Sequence, residues 1–259
     1  MKVVILAGGM GTRLAEETSI IPKPMVEIGG KPILWHIMKI YSYYGFNDFI
    51  ICLGYKGYII KEYFVNYFMH NSDLTVSLLS NDIKFHQTFS EDWNVTLVDT
   101  GLNTGTAGRL KKIKKYIDDD TFMMTYGDGL IDVDINLLLK FHKSHNKIAT
   151  ITAVKPLARF GTLNFSQNDF IVNSIREKNQ NDCNYINGGF FIFNKNIFDE
   201  LNNYDRYTMF EREPLENLVA KQQLKAYQHN GFFQCMDTLH DKRLLEQYLE
   251  SGNAPWIKW

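Results

Sequence analysis

Short hydrophobic runs alternate along the chain with longer segments whose apolar positions repeat at helical spacing. Val3–Ala7 is a short β-branched run that ends at glycine, which predicts a buried strand. Lys31–Tyr44 carries its apolar residues on one helical face and is followed by Gly45, which predicts a helix. The same criteria predict strands at Phe49–Leu53, Thr75–Leu79, Thr96–Asp99, Phe122–Tyr126 and Ile148–Val154, and helices at Lys56–Phe68, Ala107–Ile117 and Ile135–His145. This alternation predicts a parallel sheet with helices on both faces.

The pattern changes in the last third of the chain, where strands follow one another with fewer helices between them. The predicted elements are strands at Thr162–Phe165, Ile171–Ile175 and Phe190–Phe193, and helices at Glu213–Lys221 and Asp241–Glu250. Residues 81–94 are polar and predict a long surface excursion. No linker divides the chain, so we predict one α/β domain over residues 1–259, with a mostly parallel mixed sheet and a C-terminal sheet extension.

The amino-acid composition argues against several classes of protein. The 28 basic and 29 acidic residues leave a net charge of −1, which argues against a protein that coats nucleic acid or a membrane surface. No apolar segment approaches the roughly 18 residues of a membrane span, and the first residues do not resemble a signal peptide. Three cysteines without a C-x-x-C motif favour a reducing cytoplasm. The nearby pair His142 and His145 is predicted to lie on the surface rather than to bind a metal.

The loop after the first strand is the first candidate for chemistry. Gly8, Gly9 and Gly11 allow the backbone to approach a ligand closely, and exposed N–H groups in such a loop favour phosphate. The loop does not fit the Rossmann G-x-G-x-x-G pattern, because the third glycine of that pattern is missing. It does not fit a Walker A loop either, because no Gly-Lys pair follows at the required spacing. Arg13 follows directly and Lys23 lies ten residues further on, and two fixed cations beside a glycine loop suit a polyphosphate.

Acidic residues follow two apolar runs and form the second candidate. Asp128 lies between two glycines directly after the predicted strand Phe122–Tyr126, and Asp237 closes the run that starts at Phe232. Ligands of parallel sheets gather at the carboxyl ends of strands, and carboxylates from separate strands suit Mg²⁺ shared with substrate phosphates. The pair acts together only if the fold brings the two aspartates to one place.

Several weaker signals surround these motifs. Arg109 follows the small-residue loop Thr104–Gly108, which could pass beside a nucleotide base. A polar pocket of sugar size is predicted from Gly161, Glu177, Lys178 and Asn187, although each position is also compatible with an ordinary turn.

Together these motifs resemble the sugar-1-phosphate nucleotidylyltransferases. The resemblance rests on the segment from Gly8 to Thr18, on Pro22–His36, on Thr125–Gly129, on Asn187–Phe191, on Glu213–Glu216 and on Met236–Leu239, and it extends to the ending Gly252–Trp256. Within that family the chain is similar to the branch that transfers a cytidylyl group to glucose 1-phosphate. The resemblance implies a Rossmann-like nucleotidyltransferase fold, with residues 1–155 as the nucleotide-binding part and 156–259 as the sugar-binding part.

The resemblance also implies roles for individual residues. Nucleotide binding falls to Leu6, Ala7, Gly8, Gly9, Gly11, Thr12, Arg13, Lys23, Thr104, Gly108, Arg109 and Asp128. Catalysis falls to Arg13, Lys23, Asp128 and Asp237, of which Asp128 and Asp237 are the expected ligands of Mg²⁺. The hexose phosphate is expected to contact Gly161, Glu177, Lys178 and Asn187.

The implied reaction converts CTP and α-D-glucose 1-phosphate to CDP-glucose and pyrophosphate. The resemblance further implies a homo-oligomer, in the form of a hexamer, and a product used for dideoxysugars of lipopolysaccharide O-antigen. Two alternatives remain open at this point: the same reaction with UTP, dTTP or another sugar 1-phosphate, and a non-catalytic nucleotide-binding relative. The second is disfavoured because Lys23, Asp128 and Asp237 are all present. Ala107 in the base-proximal loop is close to what uridylyl and thymidylyl relatives carry.

Overall fold

A computed structural model describes residues 1–156, 162–165, 172–176 and 184–259 of the chain. Within these ranges the strands are β1 (Lys2–Leu6), β2 (Glu27–Ile28), β3 (Lys31–Pro32), β4 (Asp48–Leu53), β5 (Ser72–Ser77), β6 (Asp82–Thr88), β7 (Asn94–Asp99), β8 (Thr121–Tyr126), β9 (Gly129–Ile131), β10 (Ala149–Val154), β11 (Thr162–Phe165), β12 (Val172–Arg176), β13 (Ile186–Asn194), β14 (Leu224–His229) and β15 (Phe233–Cys235). The helices are α1 (Ala15–Thr18), α2 (Ile33–Tyr43), α3 (Gly57–His70), α4 (Thr106–Lys112), α5 (Ile135–Lys143), α6 (Ile197–Glu200), α7 (Glu213–Ala220) and α8 (Leu239–Glu250).

The central sheet is mostly parallel and mixed. In the described part of the chain it has the strand order β14-β10-β13-β8-β1-β4-β7. Strands β8, β1, β4 and β7 run parallel to one another, while β13 lies antiparallel between β8 and β10. Strand β14 extends the edge by pairing in parallel with β10. The predicted fold class is therefore confirmed.

Two hydrophobic layers cover the sheet, one on each face. Side chains of a strand alternate between the faces, so Val3 and Ile5 of β1 enter one core while Val4 and Leu6 enter the other. The first core also contains buried residues of α2, including Ile37, and the second contains buried residues of α4 and α6. Burial on both faces is the reason that the sheet strands appear in the sequence as continuous apolar runs.

The structure corrects or refines the prediction at several places. Helix α2 begins at Ile33 rather than Lys31, because Lys31 pairs with Ile28 across a turn at Gly29 and Gly30, whose φ angles are +60° and +73°. The polar stretch 81–94 is an excursion on the surface, as predicted, and it contains β6, which forms an exposed antiparallel hairpin with β5. The sheet order adds a feature that was not predicted, because β13 inserts between β8 and β10 while β14 extends the edge. No helix among the described residues is long and apolar enough to cross a membrane.

The prediction for His142 is wrong, because its side chain is buried. Its Nδ1 lies 2.8 Å from Thr150 Oγ1 and its Nε2 lies 3.1 Å from Asn194 Oδ1. His145 Nε2 is 2.9 Å from the same Thr150 hydroxyl. The two histidines therefore belong to a polar network between α5, β10 and the end of β13. His142 lies in the last turn of α5, whereas His145 follows the end of that helix.

Candidate active site

A cleft of about 820 Å³ opens where β1 and β8 end. In parallel sheets the carboxyl ends of neighbouring strands meet at one edge, which brings the loops after Leu6 and Tyr126 together. Strand β13 runs in the opposite direction, so its beginning, with Asn187, reaches the same edge. The described residues that line the cleft are Leu6 to Arg13, Lys23, Pro24, Leu102 to Thr106, Arg109, Tyr126 to Asp128, Asn187, Tyr207, Met209, Glu211, Arg212, Cys235 and Asp237.

The glycine loop forms one wall of the cleft, and two of its glycines cannot be replaced without strain. A Cβ atom on Gly8 would lie 2.1 Å from Nη1 of Arg109, and Gly11 has a φ of +63°. Both positions therefore require glycine, one because of a close approach and the other because of its backbone conformation. Arg13 follows in a short 3-10 turn, and its side chain is 74% exposed, so the guanidinium is accessible to a ligand.

Arg109 holds the loops that surround the cleft. Its buried guanidinium donates hydrogen bonds to the carbonyl oxygens of Gly8 and Leu53 at 3.0 and 2.9 Å. It also donates to Thr100 Oγ1 at 2.6 Å and to the carbonyl oxygens of Gly101 and Leu102. The residue lines the cleft, and its polar contacts join three loops to one another. Its contact with a nucleotide stays a prediction.

Lys23 lies at the centre of the charged part of the cleft. Its Nζ is 2.6 Å from Asp128 Oδ2 and 2.6 Å from Asp237 Oδ1. Arg13 Nη1 is 2.7 Å from the other carboxylate oxygen of Asp237. Burial by itself lowers the pKa of Lys23, but the charges and hydrogen bonds of Asp128 and Asp237 outweigh it and raise the pKa above its ordinary value. The ammonium is therefore charged at neutral pH.

The two aspartates meet in the cleft and offer oxygen donors of the kind that divalent cations bind. Among the described residues no group of three or more His, Cys, Asp or Glu side chains is placed to hold a metal ion. Mg²⁺ characteristically takes one or two carboxylates together with water and substrate phosphates. Asp128 and Asp237 both accept a hydrogen bond from the ammonium of Lys23, so their carboxylates already face a small cation. Two such carboxylates fit a Mg²⁺ ion that takes its other ligands from water and phosphate.

Most predicted site residues come together in this cleft. Those that line it are Leu6, Ala7, Gly8, Gly9, Gly11, Thr12, Arg13, Lys23, Thr104, Arg109, Asp128, Asn187 and Asp237. Gly108 is not among the described residues that line the cleft. A Cβ atom there would lie 2.3 Å from the carbonyl oxygen of Arg206, so this glycine allows α4 to pack on the neighbouring segment. Gly161, Glu177 and Lys178 lie outside the described residues.

The sequence analysis missed a polar group that also lines the cleft. Tyr126 Oη donates a hydrogen bond of 2.6 Å to Glu211 Oε1, and Thr106 Oγ1 donates one of 2.6 Å to Glu211 Oε2. Asn187 Nδ2 lies 3.4 Å from the same Tyr126 oxygen. Tyr126 ends an apolar strand two residues before Asp128, and this position could have indicated that Tyr126 reaches the cleft. Glu211 lies in a charged stretch that has no sequence signal distinguishing it from its neighbours.

Comparisons with known proteins agree with this geometry. The sequence profile of the family described as nucleotidyl transferase matches residues 2–238. Two proteins named glucose-1-phosphate cytidylyltransferase, from Salmonella typhi and Salmonella typhimurium, are each 54% identical to this chain, with complete coverage of both sequences. The crystal structure of HddC from Yersinia pseudotuberculosis superposes with a TM-score of 0.68 at 27% identity, covering 96% of this chain and 99% of that one. On this profile match and these full-length relatives, the chain belongs to the nucleotidyl transferase family.

Proposed function

We propose that this nucleotidyltransferase transfers a cytidylyl group from CTP to α-D-glucose 1-phosphate, giving CDP-glucose and pyrophosphate. The observation that carries the proposal is the 54% identity, over the whole length of both chains, to two proteins named glucose-1-phosphate cytidylyltransferase. The cleft supports it, because a glycine loop, two cations and two carboxylates lie together at one edge of the sheet.

The proposed chemistry needs positioning and charge stabilisation more than proton transfer. A sugar phosphate is already an ionised nucleophile, so its oxygen attacks the α-phosphorus of the nucleotide without a general base, and pyrophosphate leaves. The backbone N–H groups of the glycine loop bind the phosphates, and Arg13 and Lys23 neutralise charge that develops on the α-phosphoryl group and on the departing pyrophosphate. Arg13 is the accessible cation, while Lys23 is the fixed one.

Asp128 and Asp237 would hold Mg²⁺ together with the substrate phosphates. The ion would lower the charge of the triphosphate and polarise the bond to the leaving group. Because both carboxylates already face Lys23, that lysine would orient them before substrate arrives and keep the phosphates close to them.

The remaining assignments divide the cleft between the two substrates. Residues 1–155 would form the nucleotide-binding part, with Thr104 and Arg109 on the side of the base and Gly108 supporting their loop through its packing on Arg206. Residues 156–259 would form the sugar-binding part, in which Gly161, Glu177, Lys178 and Asn187 face the hexose phosphate.

We further propose that the enzyme is a homo-oligomer, a hexamer by the resemblance of the sequence, and that its product serves the synthesis of lipopolysaccharide O-antigen. Exposed apolar side chains on the β5–β6 hairpin, among them Leu74 and Phe85, support self-association. A cytoplasmic location is part of the proposal, and the free thiols Cys52 and Cys235 are compatible with it.

The experiment that tests the proposal measures pyrophosphate release in the presence of Mg²⁺ and glucose 1-phosphate, with CTP, UTP, dTTP, ATP and GTP in parallel. We expect CTP to be strongly preferred. A preference for UTP or dTTP would retain the reaction class and replace the named product. Release that is equally slow with every nucleotide, from folded protein, would contradict the proposal, and a screen of other sugar 1-phosphates would then identify the acceptor.

A further inference from the structure

One wall of the cleft is built from two chain segments that pack backbone to backbone. A Cβ atom on Gly105 would lie 2.3 Å from the carbonyl oxygen of Thr208, and the Gly105 N–H donates to the carbonyl oxygen of Arg206 at 2.8 Å. This contact joins the loop before α4 to the segment before α7. Glu211 lies on the second segment and reaches the cleft next to Thr106.

The carboxylate of Glu211 accepts one hydrogen bond on each of its oxygens. The donors are the phenol of Tyr126, at the end of β8, and the hydroxyl of Thr106, at the start of α4. Thr106 Oγ1 in turn accepts a hydrogen bond of 2.7 Å from the backbone N–H of Phe210. Burial, followed by the negative charge of Glu211, raises the pKa of Tyr126, so the phenol keeps its proton.

These contacts determine what the wall can offer to a ligand. A hydroxyl group has one proton, and both Tyr126 and Thr106 have given theirs to Glu211. The oxygens of Thr106, Tyr126 and Glu211, which we call the acceptor patch, therefore present lone pairs to the cleft. Asn187 Nδ2 borders the patch and donates a hydrogen bond of 3.4 Å to Tyr126 Oη, which leaves that oxygen its other lone pair.

We propose that Glu211 is a specificity-determining positioning residue, which makes the acceptor patch select a ligand group that donates a hydrogen bond. The inference rests on the proposed function for the identity of the ligand. Two groups of the proposed substrates have this chemistry, namely a hydroxyl of the hexose and the exocyclic amino group of cytosine. Uracil and thymine carry a carbonyl oxygen where cytosine carries that amino group, and a carbonyl facing an acceptor patch is repelled.

The test compares Glu211→Gln with Glu213→Gln, an exposed glutamate two residues away that does not line the cleft. Both changes remove one negative charge. In Glu211→Gln the new amide donates a hydrogen bond, so either Tyr126 or Thr106 must become an acceptor toward residue 211 and turn its proton elsewhere. Tyr126→Phe serves as a second variant, because it removes the phenol oxygen while the ring keeps its edge contact with Phe191.

The measured quantity is the dissociation constant of nucleotide sugars, obtained by titration calorimetry without turnover. The base arm compares CDP-glucose with UDP-glucose, and the hexose arm compares CDP-glucose with CDP-sugars that lack one hexose hydroxyl at a time. We expect Glu211→Gln and Tyr126→Phe to reduce the preference for the donor-bearing ligand by about 10-fold or more in one arm, the scale of a hydrogen bond to a charged group. The arm that responds identifies the selected group. Glu213→Gln is expected to leave both preferences unchanged.

An unchanged preference in both arms for folded Glu211→Gln would overturn the inference, and so would an equal weakening of every ligand, which is the result of a merely structural role. If Glu211→Gln does not fold, Tyr126→Phe decides by the same criteria. Failure of the proposed function is seen separately, in the wild-type chain. If the wild-type chain prefers another base or another sugar, the comparison is made with the nucleotide sugar that it binds. Donor-bearing and donor-lacking forms of that ligand then decide the role of Glu211.

Discussion

At the residue scale, the ammonium of Lys23 connects two carboxylates that line the cleft. It is close to Asp128 and Asp237, which are 105 and 214 positions away in the chain. The lysine lies in a short turn between Pro22 and Pro24, and this turn limits the freedom of its backbone. A cation held in this way needs little reorganisation when phosphates bind.

We predict that Lys23→Ala lowers turnover by about 10²-fold or more, because it removes a preorganised cation from the transition state. Asp237→Ala is expected to have an effect of the same order. Circular dichroism should show that both variants stay folded, and steady-state kinetics measures the loss. Lys221→Ala, which removes a surface lysine paired with Glu200, is the control and should retain normal turnover. Turnover close to wild type in both cleft variants would contradict the site assignment.

Arg109 has a different function at the same scale, because it joins loops. Its guanidinium donates to carbonyl oxygens at or just beyond the ends of β1, β4 and β7, which a lysine cannot reach together. We predict that Arg109→Lys lowers the free energy of unfolding by about 2 kcal/mol, since it leaves buried acceptors without a partner. Denaturant unfolding measures this change, and the KM for the nucleotide should rise with it. Lys115→Arg, which alters an exposed cation outside the cleft, is the control. A stable Arg109→Lys variant with an unchanged KM would show that the loops hold their positions without the guanidinium.

At the scale of elements, His142 joins α5 to the sheet through Thr150 and Asn194. Burial lowers the pKa of His142 below its usual value of 6.5, and the hydrogen bond with Asn194 opposes this effect only in part. The unfolded chain therefore binds a proton at this residue at a higher pH than the folded chain does. The resulting loss of stability begins as the pH falls through about 6.5 and is complete below the pKa of the folded state. Above that range the residue is neutral in both states and adds no pH dependence.

We predict that His142→Gln loses less stability than the wild-type chain when the pH falls from 7.5 to 5.0, because glutamine does not titrate. The free energy of unfolding is measured by denaturant titration at both pH values. His240→Gln removes an exposed histidine and should retain the full pH dependence. Equal losses for wild type and His142→Gln would show that the acid sensitivity arises elsewhere.

The β5–β6 hairpin has two chemically different faces. Leu74 pairs with Phe85 and Val76 pairs with Ile83, and because side chains alternate along a strand these four lie on one face. All four are exposed, and the ring of Phe68 from α3 lies 4.8 Å from that of Phe85. The opposite face is polar and includes the contact of Thr75 with His86.

At the scale of the whole molecule, we predict that the apolar face of this hairpin contacts another copy of the chain. The double variant Leu74→Asp/Phe85→Asp should have a lower molar mass in solution than the wild type, because two charges would be buried in the interface. Light scattering coupled to size-exclusion chromatography measures the mass. Thr75→Asp/His86→Asp places the same charges on the polar face and should retain the wild-type mass. A wild-type monomer at micromolar concentration would contradict the oligomer.

The fold class, the strands beside the cleft and the glycine loop were all predictable from short stretches of sequence. Strand β1 is a buried run that ends at glycine, and Asp128 lies between glycines directly after β8, so both signals are local. Lys23 could be singled out for the same reason, since its flanking prolines are adjacent in the chain. Such features depend on backbone preferences and on hydrophobic periodicity, which neighbouring residues carry without reference to the rest of the molecule.

Other features depend on contacts between residues that are distant in the chain, and only the tertiary structure decided them. Asp237 meets Lys23 because β15 pairs with β9, directly after Asp128, and no local pattern encodes that pairing. His142 is buried because β13 inserts between β8 and β10, which brings Asn194 to its ring. Glu211 reaches Tyr126 and Thr106 because two glycines allow the backbones of their segments to touch. In each case the residue type was visible in the sequence, but its partner was set by long-range packing.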